Sequence, residues 1–128
     1  MLLETLQELV HDSELFYDQL LEIGTPEPEY NIREQAFYTP GCQSNVWIKQ
    51  DGDNILVDSD AYLVRGIARV LVDYANNNDK ISMSDFHSIA RPLTVQRQRG
   101  MQAIINKIRE FKGYEVVIPS QQLSLIHI

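Results

Sequence analysis

The stretch SNVWIKQDGDNILV, residues 44–57, carries the strongest fold signal in this chain. It contains two short apolar runs, Val46 to Ile48 and Ile55 to Val57, of the kind that forms β-strands. Between the runs lies Asp51-Gly52, a pair typical of two-residue turns because both residue types tolerate positive φ. The stretch therefore predicts an antiparallel hairpin.

Helical patterns lie on both sides of this hairpin. Apolar residues spaced by three and four predict one helix over residues 2–11 and a second that begins at Asp12 or Ser13 and stops at Gly24. Glycine suits the end of a helix because it accepts the left-handed conformation. The same spacing downstream predicts three more helices, over residues 61–77, 82–90 and 96–112.

Two further segments complete the predicted architecture. Residues 31–38 are expected to form a short strand, and Asp58-Ser59-Asp60 to cap the helix that starts near Ala61. On that helix, Arg65, Arg69 and Asp73 lie opposite the apolar face. These elements predict an α+β fold, in which a small antiparallel three-stranded sheet is covered by helices on one side.

Length and charge restrict the classes of protein. The 128 residues fit one domain, which we assign to residues 1–113, with residues 114–128 as a C-terminal tail of unclear role. The tail could include a strand from Tyr114 to Ile118. The net charge of −7 has the wrong sign for sequence-independent nucleic-acid binding. No apolar run is long enough to span a membrane, and MLLETLQELV lacks the basic start of a signal peptide. We therefore expect a cytoplasmic protein without membrane or nucleic-acid partners.

The charge is distributed unevenly along the chain. Residues 1–34 hold nine acidic residues and one basic residue, Arg33, whereas residues 97–112 hold five basic residues and one acidic residue, Glu110. An acidic front and a basic last helix would suit docking to a protein of complementary charge. Two solvated helix faces are the simpler explanation of the same pattern.

Cysteine and histidine counts exclude several kinds of site. Cys42 is the single cysteine, so an intrachain disulfide, a cysteine-rich zinc site and a cluster held by four thiolates of one chain are all excluded. His11, His87 and His127 lie far apart, without the spacing of metal ligands. No glycine-rich phosphate loop or nucleophile-elbow motif is present. We predict no metal and no cofactor.

Cys42 is the main candidate for chemistry. It follows Pro40-Gly41 and precedes the first predicted strand, so it belongs to a loop at a sheet edge from which a thiol can protrude. Three alternatives stay open on these residues alone. Cys42 could be a buried small hydrophobe in an interaction module, a redox or acyl-transfer thiol with His87 as its base, or a thiol that protrudes toward a partner. Trp47 is expected to anchor the core.

Three blocks of sequence resemble the SufE family of sulfur acceptors. The first is Gly41-Cys42-Gln43-Ser44-x-Val46-Trp47-Ile48, the second combines Asp58-Ser59-Asp60-Ala61 with Val64-Arg65-Gly66, and the third is Leu93-Thr94-x-x-Arg97-x-x-Gly100. Their order and spacing match over about residues 13–112. The chain departs from the family pattern where Val95 and Gln96 replace Pro-Ser, in a shorter connector after Gly24, and in the tail after Gly113.

The resemblance implies a function and a set of site residues. Cys42 would accept sulfur as a persulfide from a pyridoxal-phosphate cysteine desulfurase, stimulate that enzyme, and pass the sulfur to an iron–sulfur cluster assembly scaffold. The protein would thus be a carrier rather than an enzyme, with the α+β fold shared with IscU-type scaffolds. Asp60 and Arg97 match positions at the desulfurase-docking surface, together with the loop residues Gly41, Gln43 and Ser44. An apolar cleft near Trp47 is expected to shelter the persulfide.

Overall fold

The computed structural model describes residues 1–26 and 31–113 of the chain. Five α-helices and one hairpin make up the described fold: α1 (Leu2–Gln7), α2 (Ser13–Ile23), β1 (Val46–Asp51), β2 (Asn54–Ser59), α3 (Tyr62–Asn77), α4 (His87–Ala90) and α5 (Val95–Phe111). Short 3₁₀ turns lie at Gln35–Phe37 and Met83–Phe86. The order of helices and hairpin confirms the predicted α+β class, and α2 begins with Asp12 as its N-cap, as predicted.

The hairpin is confirmed with its turn displaced by one residue. β1 and β2 pair antiparallel, and Asp51 faces Asn54 across the ladder, so the two turn residues are Gly52 and Asp53. Only Gly52 of this pair has positive φ, at 62°. Glycine adopts that conformation without steric cost, which fixes the register of the ladder.

The predicted third strand over residues 31–38 is wrong, since the sheet in the described residues has two strands. In that segment only Tyr38 makes a β-bridge, an isolated one with Trp47. Residues Gln35–Phe37 form a 3₁₀ turn instead, and the side chain of Arg33 donates to the Asp58 carboxylate at 2.8 Å and lies 5.1 Å from the Trp47 ring centroid. The segment therefore pairs with the edge of β1 only at Tyr38.

α2 and α3 touch through their backbones. A Cβ atom at Gly24 would lie 1.8 Å from the carbonyl oxygen of Tyr62, and one at Gly66 would lie 2.2 Å from that of Leu20. Gly24 does end α2 as predicted, but for another reason, because its φ is −80° and not left-handed. Close approach of two helices, rather than a special conformation, requires glycine at both positions.

The expected cap at the start of α3 is present only in part. The N-cap residue is Ala61, which has no side-chain cap of its own, and the Ser59 hydroxyl accepts a hydrogen bond from its N–H at 3.3 Å. Asp58 instead pairs with Arg33 and Arg65, and Asp60 accepts hydrogen bonds from Asn45. The three residues of the predicted cap join the hairpin to other parts of the chain.

Arg65 differs from its expected place on the exposed face of α3, since only 2% of it is exposed. Its guanidinium donates to the carbonyl oxygens of Gly24 and Ser59 and to the carboxylate of Asp58, and it lies 4.9 Å from the Tyr62 ring centroid. A buried cation is tolerated because each of these acceptors compensates for lost water. Arg65 thereby ties α2, the hairpin and α3 together.

The apolar core lies between the hairpin, α3 and α5, with α1 and α2 packed against α3. The predicted core face of the last helix is confirmed by the burial of Met101, Ile104, Ile105 and Ile108. None of the helices in the described ranges is long and apolar enough to cross a membrane. The possible strand from Tyr114 to Ile118 lies outside the described residues.

Candidate functional site

The loop between Thr39 and Asn45 carries Cys42 onto α5. The loop leaves the sheet after the N–H of Thr39 donates to the carbonyl oxygen of Val46, at 2.8 Å. Gly41 then adopts φ 104°, and a Cβ atom there would lie 2.9 Å from the Cβ of Ala103. The left-handed glycine both turns the chain and lets its backbone press against the helix.

Cys42 is seated on Gly100. Its Sγ lies 3.5 Å from the Gly100 carbonyl oxygen, to which the thiol donates, and a Cβ atom on Gly100 would lie 3.3 Å from that sulfur. Any side chain at residue 100 would crowd the thiol. The absence of a side chain at Gly100 therefore creates the seat for the cysteine.

The third sequence block is explained by this seat. The hydroxyl of Thr94 accepts a hydrogen bond from the N–H of Arg97 at 3.3 Å and so caps the start of α5. Arg97 and Gly100 are three residues apart and share one face of the helix. The spacing thus places the capping threonine, the arginine and the glycine that contacts Cys42 about one helical turn apart along α5.

A cavity of about 90 Å³ lies beside Cys42, between the loop, the first turns of α3 and the first three turns of α5. This volume is well above the roughly 10–15 Å³ that one water molecule needs. The apolar part of its lining comes from α3 and α5, namely Ala61, Leu63, Val64, Ile67, Met101 and Ile104. The cavity can therefore hold additional atoms bound to the sulfur.

The expected cleft near Trp47 is wrong, because Trp47 does not line this cavity. The indole is half-buried and lies instead on the outer face of the sheet, against Arg33 and edge-to-face with Tyr38 at 6.3 Å. Neighbouring strand residues point to opposite faces, and it is Val46 and Ile48 that enter the core. The apolar shelter for Cys42 is supplied by helices and not by the tryptophan.

Burial determines the pKa of the Cys42 thiol. Loss of solvent raises the pKa of Cys42 to about 11, so the thiol is protonated at neutral pH. Among the described residues, the cavity lining contains no carboxylate and no imidazole, and Arg97 is its one charged side chain. His87, considered as a base for Cys42, is exposed on α4 and does not line the cavity. The described residues therefore give the thiol no base.

Asp60 closes the C-terminal end of the Cys42 loop. Its carboxylate accepts hydrogen bonds from the backbone N–H of Asn45 at 3.1 Å and from the side-chain amide of Asn45 at 2.8 Å. The Ser59 hydroxyl donates to the Asn45 carbonyl oxygen at 2.7 Å. Sequence reasoning missed Asn45, because its partners lie at the far end of β2 and nothing in the local pattern points to them.

The structure brings together four of the six predicted site residues. Cys42, Gln43, Ser44 and Arg97 line the same cavity, whereas Gly41 packs on α5 and Asp60 holds Asn45. Gly41, Gln43 and Asp60 are exposed, so they are accessible to another protein. Within the described ranges, no cluster of three or more histidine, cysteine or acidic residues could hold a metal ion.

Comparison with known proteins agrees with this arrangement. The family model SufE, described as an Fe-S metabolism associated domain, matches residues 2–112, which include every residue of the loop, the cavity and the Asp60 contact. No curated protein matches the chain. Because the family model covers most of the 128 residues, the chain belongs to the SufE family, which is associated with iron–sulfur metabolism.

Proposed function

We propose that this protein is a sulfur carrier. Cys42 accepts sulfur as a persulfide from a pyridoxal-phosphate cysteine desulfurase, and the protein stimulates that enzyme and delivers the sulfur to an iron–sulfur cluster assembly scaffold. Membership of a family associated with iron–sulfur metabolism supports this role. The cytoplasmic location stays a prediction from the sequence.

The observation that carries the proposal is the position of Cys42 Sγ beside a mainly apolar cavity, to whose lining the described part of the chain contributes no base. A thiol enzyme needs a base or a second thiol to complete a turnover. A carrier needs only one thiol and a protected place for the sulfur that it holds. The outer sulfur of a persulfide lies about 2.05 Å from Sγ, a reach that suits a cavity in contact with the thiol.

The transfer step is a thiol–disulfide-type displacement. The Cys42 thiolate attacks the outer sulfur of the donor persulfide, the donor S–S bond breaks, and the donor cysteine leaves as a thiolate with the bonding electrons. Since the thiol pKa of Cys42 is about 11, little thiolate exists in the free protein. Activation therefore takes place in the complex with the donor, which is the behaviour of a carrier that reacts only with its partner.

The docking surface proposed for the desulfurase surrounds the cavity. It comprises the loop residues Gly41, Gln43 and Ser44, the cation Arg97 and the carboxylate of Asp60. Reversing the charge at Arg97 with Arg97→Glu should weaken binding of the desulfurase. The alkylation rate of the isolated Cys42 thiol should stay unchanged in that variant, because burial and not Arg97 sets its pKa.

The test is the intact mass of the protein after incubation with a cysteine desulfurase and cysteine without reductant. We expect a gain of one or more sulfur atoms that is reversed by reduction and absent from Cys42→Ser. The same variant should still bind the desulfurase, because the substitution changes only the acceptor atom. Sulfur uptake by Cys42→Ser, or no uptake by the native chain from any desulfurase, would contradict the proposal. Turnover of a thiol substrate without a partner protein would favour a redox enzyme that uses Cys42.

A further inference from the structure

We propose that Arg97 holds the negatively charged outer sulfur of the Cys42 persulfide inside the cavity. This inference rests on the proposed function, because it assigns a role to a persulfide at Cys42. It makes Arg97 a residue that contacts the bound sulfur, in addition to its proposed part in docking.

The charges around the cavity support this role. Arg97 is the only charged side chain that the loop, α3 or α5 contributes to the lining. In the described part of the chain, the Arg97 guanidinium has no hydrogen bond or ion pair, although its backbone N–H is bound by Thr94. Other half-buried arginines are paired: Arg69, for example, donates to the carbonyl oxygen of Ile23 at 2.7 Å. The Arg97 guanidinium is therefore available to an anion in the cavity.

The N-terminal ends of α3 and α5 add positive charge beside the cavity. Ala61, Leu63 and Val64, at the start of α3, line the cavity, and so do Gln96 and Arg97 at the start of α5. The N-terminus of a helix carries a partial positive charge that favours anions. At α3 the Ser59 hydroxyl accepts a hydrogen bond from the N–H of Ala61 at 3.3 Å, and neither helix has an acidic residue in its first turn. Arg97 and the two helix starts therefore place positive charge at the border of a cavity whose walls are mainly apolar.

A persulfide at Cys42 extends further into the cavity than the resting thiol does. The thiol of Cys42 is directed to the carbonyl oxygen of Gly100, and burial alone raises its pKa, with no contribution from a charged neighbour. A second sulfur extends the side chain by about 2.05 Å into the space that Arg97 lines. When the persulfide loses its proton to solvent, the charge resides on that outer sulfur, where an arginine stabilises it.

The experiment loads the protein without a desulfurase. With inorganic polysulfide, the Cys42 thiolate attacks a sulfane sulfur, an S–S bond of the polysulfide breaks, and a shortened polysulfide anion leaves with the electron pair. The alkylation rate of the purified persulfide, and separately of the thiol, is then measured against pH by mass spectrometry. The chains compared are the native protein, Arg97→Gln, Arg97→Lys and the control Arg99→Gln, which removes an exposed arginine of the same helix that does not line the cavity.

We expect Arg97→Gln to raise the pKa of the persulfide and to slow its alkylation below that pKa by roughly tenfold, the effect of losing a nearby opposite charge. Arg97→Lys should restore most of the rate, Arg99→Gln should match the native chain, and the thiol profile should be the same in all four proteins. A merely structural role for Arg97 would change the thiol and persulfide profiles together.

An unchanged persulfide profile in Arg97→Gln overturns this inference, as does a native chain that polysulfide cannot load at Cys42. Neither result concerns delivery by an enzyme. Failure of every desulfurase to load the native chain would instead overturn the proposed function, while the comparison of chemically loaded variants would still stand.

Discussion

The carboxylate of Asp60 holds both the backbone and the side chain of Asn45, through hydrogen bonds of 3.1 and 2.8 Å. Asn45 is the last residue before β1, and Asp60 is the first residue after β2. The pair therefore closes the open end of the hairpin at the point where the Cys42 loop ends. Asp60 has a structural part in the site besides its proposed part in docking.

Removing this link should release the loop. In Asp60→Ala we expect alkylation of Cys42 to become several-fold faster, because a more mobile loop exposes the thiol to solvent. The free energy of unfolding should fall by about 1 kcal/mol, a typical value for an exposed hydrogen-bonding group. Asp60→Asn keeps an acceptor for the backbone N–H of Asn45, so its alkylation rate and its free energy of unfolding should lie between those of the native chain and Asp60→Ala. Equal alkylation rates in all three proteins would show that Asp60 does not hold the loop.

Gly100→Ala tests the seat of the thiol. The added methyl group would lie 3.3 Å from Cys42 Sγ, which is close enough to displace the sulfur by a few tenths of an ångström. We expect the thiol to become more exposed, its pKa to fall towards the ordinary value, and its alkylation at neutral pH to become faster. Alanine also favours the helix by about 1 kcal/mol over glycine, so the variant should stay folded. Slower alkylation would contradict this view of the seat.

Gly24→Ala tests the contact between α2 and α3. A Cβ atom at 1.8 Å from the carbonyl oxygen of Tyr62 cannot be accommodated without moving one helix. We expect a loss of at least about 3 kcal/mol in the free energy of unfolding, as for severe overpacking. The control is Gly52→Ala, where the space is open and only the positive φ disfavours alanine, by about 1–2 kcal/mol. Similar losses in the two variants would argue against the close helix contact.

Asp58 should make the free energy of unfolding depend on pH in the acidic range. Burial by itself raises its pKa, but hydrogen bonds from Arg33, Arg65 and the Ser59 N–H outweigh this and lower the pKa below its ordinary value. A lowered pKa in the folded state stabilises the protein above about pH 4, the pKa of an unfolded aspartate, and this contribution is lost as the pH falls through the folded value.

We therefore expect the free energy of unfolding, measured with urea, to decrease less for Asp58→Asn than for the native chain as the pH is lowered. At neutral pH the variant should be less stable by about 3 kcal/mol, because Arg65 stays buried without its counter-charge. The matched control is Asp18→Asn on α2, an exposed carboxylate without an ion pair in the described residues, which should change stability little. Parallel acid dependence of the native chain and Asp58→Asn would contradict the assignment.

Local signals explain what the sequence could predict. The hairpin depends on Gly52 and two adjacent apolar runs, and the buried face of α5 depends on spacing within one helix. Each of these features is decided by residues that are neighbours along the chain. Cys42 could be selected for the same reason, since it is the single thiol and follows a Pro-Gly turn.

The features that could not be predicted depend on distant partners. Arg33 binds Asp58, which lies 25 residues further along the chain, and nothing in the local pattern of residues 31–38 indicates that contact. Gly24 meets Tyr62 only after α2 packs on α3. The cavity forms where Cys42 and Gly100 meet, 58 residues apart. The sequence can identify such positions as candidates, but only the three-dimensional structure shows which residues they contact.

The hairpin turn offers a practical site for attaching a probe. Nothing lies within 4 Å of the position that a side chain on Gly52 would occupy, and the turn is at the end of the strands opposite Asn45 and Asp60. Six-residue strands span roughly 17 Å. A fluorophore or affinity tag joined at Asp53 would therefore stand clear of the thiol and its surroundings. Immobilised through this turn, the protein would present Cys42 to any binding partner in solution.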